Sequence, residues 1–110
     1  MPIETVNIAQ QIHSLSRRAI AIADSLEEIG VALVEAEVEY NAARHEAIEA
    51  LQRDACPMTV IKEKAEHLVR EHVLNFGKAK VRKSANEKRL HAYEKVIGGM
   101  QSVLRVYKEI

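Results

Sequence analysis

Residues that turn a chain are scarce in this 110-residue sequence, which has four Gly and two Pro, and aromatics amount to three Tyr, one Phe and no Trp. A sheet protein needs turn signals roughly every eight to twelve residues, so the shortage argues against β structure. The single cysteine, Cys56, excludes an internal disulfide, and its place beside Pro57 predicts an exposed thiol at a turn without redox or nucleophilic duty. Long apolar runs are also missing. The longest, residues 29–34, contains Gly30 and falls far short of the ~20 residues that cross a bilayer, so no membrane span is expected. Residues 2–8 lack the basic start and apolar centre of a secretory signal, which makes the cytoplasm the expected location.

What fills the sequence is Ala, Ile, Leu, Val and charge, with 47% hydrophobic and 29% charged residues. From Ile8 onward small or apolar residues recur in alternating steps of four and three, through Ile12, Leu15, Ala19, Ile22, Leu26, Ile29, Leu33, Ala36, Tyr40, Ala43 and Ala47 to Ala50. A mean spacing of about 3.5 is the heptad pattern of helices that pack along a seam. It predicts one helix over about residues 7–53, with Asn7 as its N-cap and Thr5 as the competitor. Pro57 disfavours helix at the preceding residue and predicts a turn over about 54–58. A second ladder, Val69, His72, Phe76, Ala79, Lys83, Asn86, Leu90, Tyr93, Ile97, Met100, Leu104 and Tyr107, predicts a helix over about 59–107. Gly77 is its expected point of kink or break, and Gly98–Gly99 a place for close backbone approach.

Two long helices with a short connection predict an all-α protein, a single domain over residues 1–110 folded as a long antiparallel, coiled-coil-like hairpin. Charge divides at the turn. Residues 1–54 hold ten acids and four bases, net −6, and residues 55–110 hold six acids and twelve bases, net +6. Antiparallel folding brings Glu27, Glu28, Glu35, Glu37 and Glu39 alongside about residues 73–85, so part of the split is expected to act as a register code through ion pairs across the hairpin. Val31, Val34, Val38 and Ile48 lie off the first seam, and Val96, Val103 and Val106 off the second. A two-helix hairpin buries one stripe per helix, so these seven predict an oligomer interface and self-association into a helical bundle.

The basic run Lys78, Lys80, Arg82, Lys83, Lys88 and Arg89 is the candidate nucleic-acid surface, because clustered cations release the counterions condensed on a phosphate backbone. Phe76 and Tyr93 fall on the seam and not on a base-stacking platform. His67 and His72 stand five apart, off the i, i+4 spacing that lets two His share a metal, so no metal site is expected. No phosphate loop, nucleophile elbow or Cys pair is present. The expectation is therefore no enzyme activity, no cofactor and no small-molecule substrate.

Three stretches carry a resemblance: Glu35-Ala36-Glu37-Val38-Glu39-Tyr40 with Ala43-Arg44, Thr59-Val60-Ile61-Lys62-Glu63-Lys64-Ala65, and Gly98-Gly99-Met100-Gln101-Ser102-Val103-Leu104-Arg105. The layout resembles small helical proteins encoded by tailed bacteriophages among replication and recombination genes, and in outline is similar to phage recombination mediators. That resemblance implies an oligomeric accessory that contacts single-stranded DNA nonspecifically in the host cytoplasm, and it assigns no role to any single residue. The alternative expectation is a protein-binding adaptor, scaffold or inhibitor that acts through coiled-coil surfaces without nucleic acid.

Overall fold

The computed structural model of the chain describes residues 3–109, and among these all regular structure is α-helical: α1 (Ile3–Arg53), α2 (Met58–Leu68) and α3 (Arg70–Glu109). α1 begins at Ile3, ahead of the expected cap, and both Thr5 and Asn7 lie inside it. Capping preference is a local signal, and the heptad pattern extends one step below Ile8 to Thr5, whose side chain is buried.

The turn after α1 is built by backbone bonds. Ala55 adopts a left-handed φ of 57°, its N–H donates to the Gln52 carbonyl at 3.1 Å, and the Cys56 N–H donates to the Leu51 carbonyl at 3.0 Å. This paired 6→1 and 5→2 pattern is a Schellman stop, which usually has Gly at the left-handed position and here tolerates the Cβ of Ala. Cys56, expected to be exposed, is half-buried, since the stop directs the residue after the left-handed one back toward the last turn of the helix. Pro57 precedes α2 without a side-chain cap, and its carbonyl accepts from the Val60 N–H at 3.1 Å.

The second arm is interrupted, but not where the glycine suggested. Helix α3 runs unbroken through Gly77, and the discontinuity lies at Val69, whose φ of −103° and ψ of 22° leave the helical region. The cause is legible in the spacing. From Val69 onward the ladder steps by three and four, whereas the buried residues before it, Ile61, Ala65 and Val69, step by four and four. Two successive steps of four are a stutter, which shifts the apolar stripe around the helix and must be absorbed locally. Val69 absorbs it while the Val69 N–H to Ala65 carbonyl and Val73 N–H to Val69 carbonyl bonds, both 3.1 Å, persist. Gly77 has no such phase error to relieve, so its intrinsic cost to the helix is simply borne.

The chain divides into two compact units. Unit 1 joins α1 up to Glu28 with α3 from Ser84 onward, and unit 2 runs from Ile29 to Lys83 around the turn. In unit 2 the α1 positions from Ile29 to Ala50 on the heptad ladder are all buried or half-buried, and the fully enclosed Ala65, at 0% exposure, lets the helices approach closely. In unit 1 Ala19 is buried, and Ile8, Ile12, Leu15, Ile22 and Leu26 are half-buried, as are Asn86, Leu90, Tyr93, Ile97, Met100 and Leu104. Tyr107, the last rung, is exposed. Gly98 and Gly99 meet nothing within 4 Å of where a Cβ would stand, so the close backbone approach expected there does not occur within the chain.

Candidate docking surfaces

The best-defined polar cluster belongs to unit 2, where Tyr40 and Arg44, one turn apart on α1, both donate to Oε1 of Glu66 on α2, at 2.6 Å from Tyr40 Oη and 2.9 Å from Arg44 Nε. The Tyr40 ring packs on Phe76 of α3 with centroids 5.6 Å apart, and the Lys80 ammonium sits 3.9 Å from the Phe76 centroid. This chain of contacts ties all three helices of the unit together, and its members stay partly open to solvent. The hydroxyl of Tyr40, then the guanidinium of Arg44, holds the Glu66 carboxyl below the usual carboxylate range against the opposing effect of burial. The same hydrogen bond to Glu66, with burial and the carboxylate charge, pushes the Tyr40 phenol up against the influence of Arg44.

The pH dependence follows in sign. Glu66 has a lowered folded-state pKa, so its contribution is full above the unfolded value and is lost as pH falls through the folded value. Tyr40 has a raised one, so its contribution is present below about pH 10 and is lost as pH rises through the folded value. Glu66→Gln is expected to lower stability at neutral pH by about 1 kcal/mol, the scale of a solvent-screened charged hydrogen bond. Thermal melts across pH should show that deficit closing in acid, and a deficit constant down to the acid limit would remove the assignment.

The six basic candidates separate by environment. In unit 2, Lys78 is exposed, Lys80 is engaged on Phe76, Arg82 is exposed, and Lys83 is half-buried on the seam. In unit 1, Lys88 and Arg89 are exposed. Lys78, Lys88 and Arg89 form no ion pair among the described residues, and neither do Glu27, Glu28, Glu35, Glu37 and Glu39. The ion-pair register code across the hairpin is thus absent from these residues, because the heptad geometry points most of them away from the partner helix. Register is carried by the seam and by the Tyr40–Glu66–Arg44 cluster, a contact that charge counting missed because Glu66 belongs to the half of the chain whose net charge is +6.

Six of the seven off-seam apolar residues are open. Val31, Val34 and Val38 line the outer side of α1 in unit 2, with Val34 at 59% exposure, while Ile48 is half-buried. Val96, Val103 and Val106 are exposed in unit 1, and Val96 borders two shallow grooves with Leu15, of 210 Å³ and 380 Å³. Sequence reasoning passed over the outer side of α3 in unit 2. There Val73, Leu74, Gly77 and Val81 form a groove of 620 Å³ rimmed by Lys78 and Arg82, with Val81 at 69% exposure. The signal was the three-then-four spacing of Leu74, Gly77 and Val81, masked by the glycine in its centre.

Among the described residues no three His, Cys, Asp or Glu side chains converge as metal ligands, and no helix is long and apolar enough to cross a membrane. No family model, no curated protein and no solved structure matches the chain.

Proposed function

We propose that this is a non-catalytic interaction protein that works by docking helices on its outer faces, as a self-assembling scaffold or adaptor. The observation that supports it is the pair of open apolar stripes in unit 2, Val31–Val34–Val38 on α1 and Leu74–Gly77–Val81 on α3, on helices whose seam sides are already filled. Exposed apolar area of this kind on both helices of one unit is what a partner helix covers, and association removes it from water. Side chains at these positions contribute little to the folded chain itself, so their value lies in contacts beyond it.

A second reading, the DNA accessory implied by the phage resemblance, draws support from Lys88 and Arg89, exposed and outside any ion pair among the described residues. In that role they and Lys78 contact phosphates while assembly multiplies weak sites. The two readings part in one experiment, in which the chain is sedimented with and without single-stranded DNA across a salt series. Docking function gives association without DNA and no DNA-bound species at low salt. A chain that sediments as a monomer and binds DNA with a steep salt dependence, abolished by Lys88→Glu with Arg89→Glu, overturns the docking function in favour of the accessory role.

A further inference from the structure

Two segments of unit 2 share one apolar pattern with inverted charge. In residues 31–39 of α1, Val31, Val34 and Val38 are followed at fixed offsets by Glu35, Glu37 and Glu39; in residues 74–82 of α3, Leu74, Gly77 and Val81 are followed at the same offsets by Lys78, Lys80 and Arg82. With about 3.6 residues per turn, each apolar trio forms one stripe about 10 Å long. Glu35 and Glu37 then flank one stripe on its two sides, and Lys78 and Lys80 flank the other in the same way.

The stripes also differ in relief. Three valines make the α1 face a ridge. The α3 face is a trough, because Gly77 has nothing within 4 Å of its missing Cβ and sits between Leu74 and Val81 in the 620 Å³ groove. Ridge and trough are not spent on each other within the chain, since the seam takes Leu33, Ala36 and Tyr40 on one helix and His72, Phe76 and Ala79 on the other. Glu35, Glu37 and Glu39 make no ion pair among the described residues.

We infer that the α3 groove receives the α1 ridge of a second copy of this chain, with Val34 over Gly77 and the outer valines over Leu74 and Val81. Glu35 and Glu37 then meet Lys78 and Lys80, whichever direction the docked helix runs. Charge selects this pairing over the two symmetric ones. Two ridges would bring carboxylates together, and two grooves would bring cations together, each a like-charge juxtaposition that opposes association. Ridge and trough each lie on the side of their helix away from the seam, so one docked pair leaves a ridge and a trough open, and copies link head to tail into open chains or closed rings. The inference rests on the docking function proposed above and names its partner.

The test uses two full-length variants at exposed positions, Val34→Glu to disable the ridge and Val81→Lys to disable the groove. Sedimentation velocity should show wild type assembling beyond a dimer and loosening as salt rises, and each variant alone as a monomer of unchanged helicity. An equimolar mixture should form a one-to-one complex, because the intact ridge of Val81→Lys fits the intact groove of Val34→Glu. Glu35→Lys with Glu37→Lys, which leaves the apolar residues in place, should behave as the ridge variant does. If both single variants assemble as wild type does, docking occurs through other faces and this pairing is wrong while the docking function stands. A mixture that stays monomeric while wild type assembles also refutes the pairing. A wild-type chain that is monomeric at its solubility limit overturns the inference and the self-assembling scaffold together.

Discussion

Ile29→Ala is expected to lower the stability of the chain by about 3 kcal/mol, while Val31→Ala, two residues away, should stay within about 0.5 kcal/mol of wild type. Both changes shorten an aliphatic side chain on the same helix, so propensity and composition barely distinguish them. What differs is the face. Ile29 is 3% exposed on the seam of unit 2, and truncating it leaves a cavity, whereas Val31 is 53% exposed and already in water. For a chain of this length about 3 kcal/mol corresponds to a fall of roughly 10–20 °C in melting temperature. Circular-dichroism melts of both variants, taken dilute so that association does not contribute, decide the matter. Equal effects at the two sites would mean that the heptad ladder is not what holds the helices together.

The second large effect has the opposite sign. Gly30, Gly98 and Gly99 all lie inside helices, none has positive φ, and beyond its own local helix backbone none has an atom within 4 Å of the place a Cβ would take. Glycine inside a helix costs roughly 0.5–1 kcal/mol relative to Ala through the backbone freedom it loses on folding. Replacing all three by Ala should stabilise the chain by about 2 kcal/mol and raise its melting point by roughly 10 °C. Denaturant titration of the triple variant measures it, and a loss of stability would show that another backbone presses on one of these sites. Gly77 is left out of the set because it floors the α3 groove, where a methyl group would act on docking as well as on the helix.

The contrast between Ile29 and Val31 also marks what the amino-acid order reveals. Thirteen rungs from Ile8 to Ala50 were readable because a seam has one period and burial obeys it, and each of them is buried or half-buried. The turn at Pro57 was readable because proline acts on its neighbour alone. The break at Val69 was not, since glycine propensity drew attention to Gly77 while the stutter at Ile61, Ala65 and Val69 is a phase error visible only when the ladder is carried backwards. The Glu66 cluster was missed because its partners Tyr40 and Arg44 depend on side-chain reach and not on spacing. The basic run read as one surface, yet Lys83 is half-buried on the seam and Lys80, though exposed, rests its ammonium on Phe76, so the six cations do not stand in one equivalent setting. The groove on α3 stayed hidden for the converse reason, because an apolar stripe with glycine at its middle looks like a defect in the helix.

Outer faces, and not a cleft, are the working surface in this account, and sedimentation equilibrium of the wild-type chain over a wide concentration range tests that most directly. The mass should rise with concentration without added nucleic acid and fall back toward the monomer as salt is raised. A single monomeric species at every concentration and salt, up to the solubility limit, would contradict it.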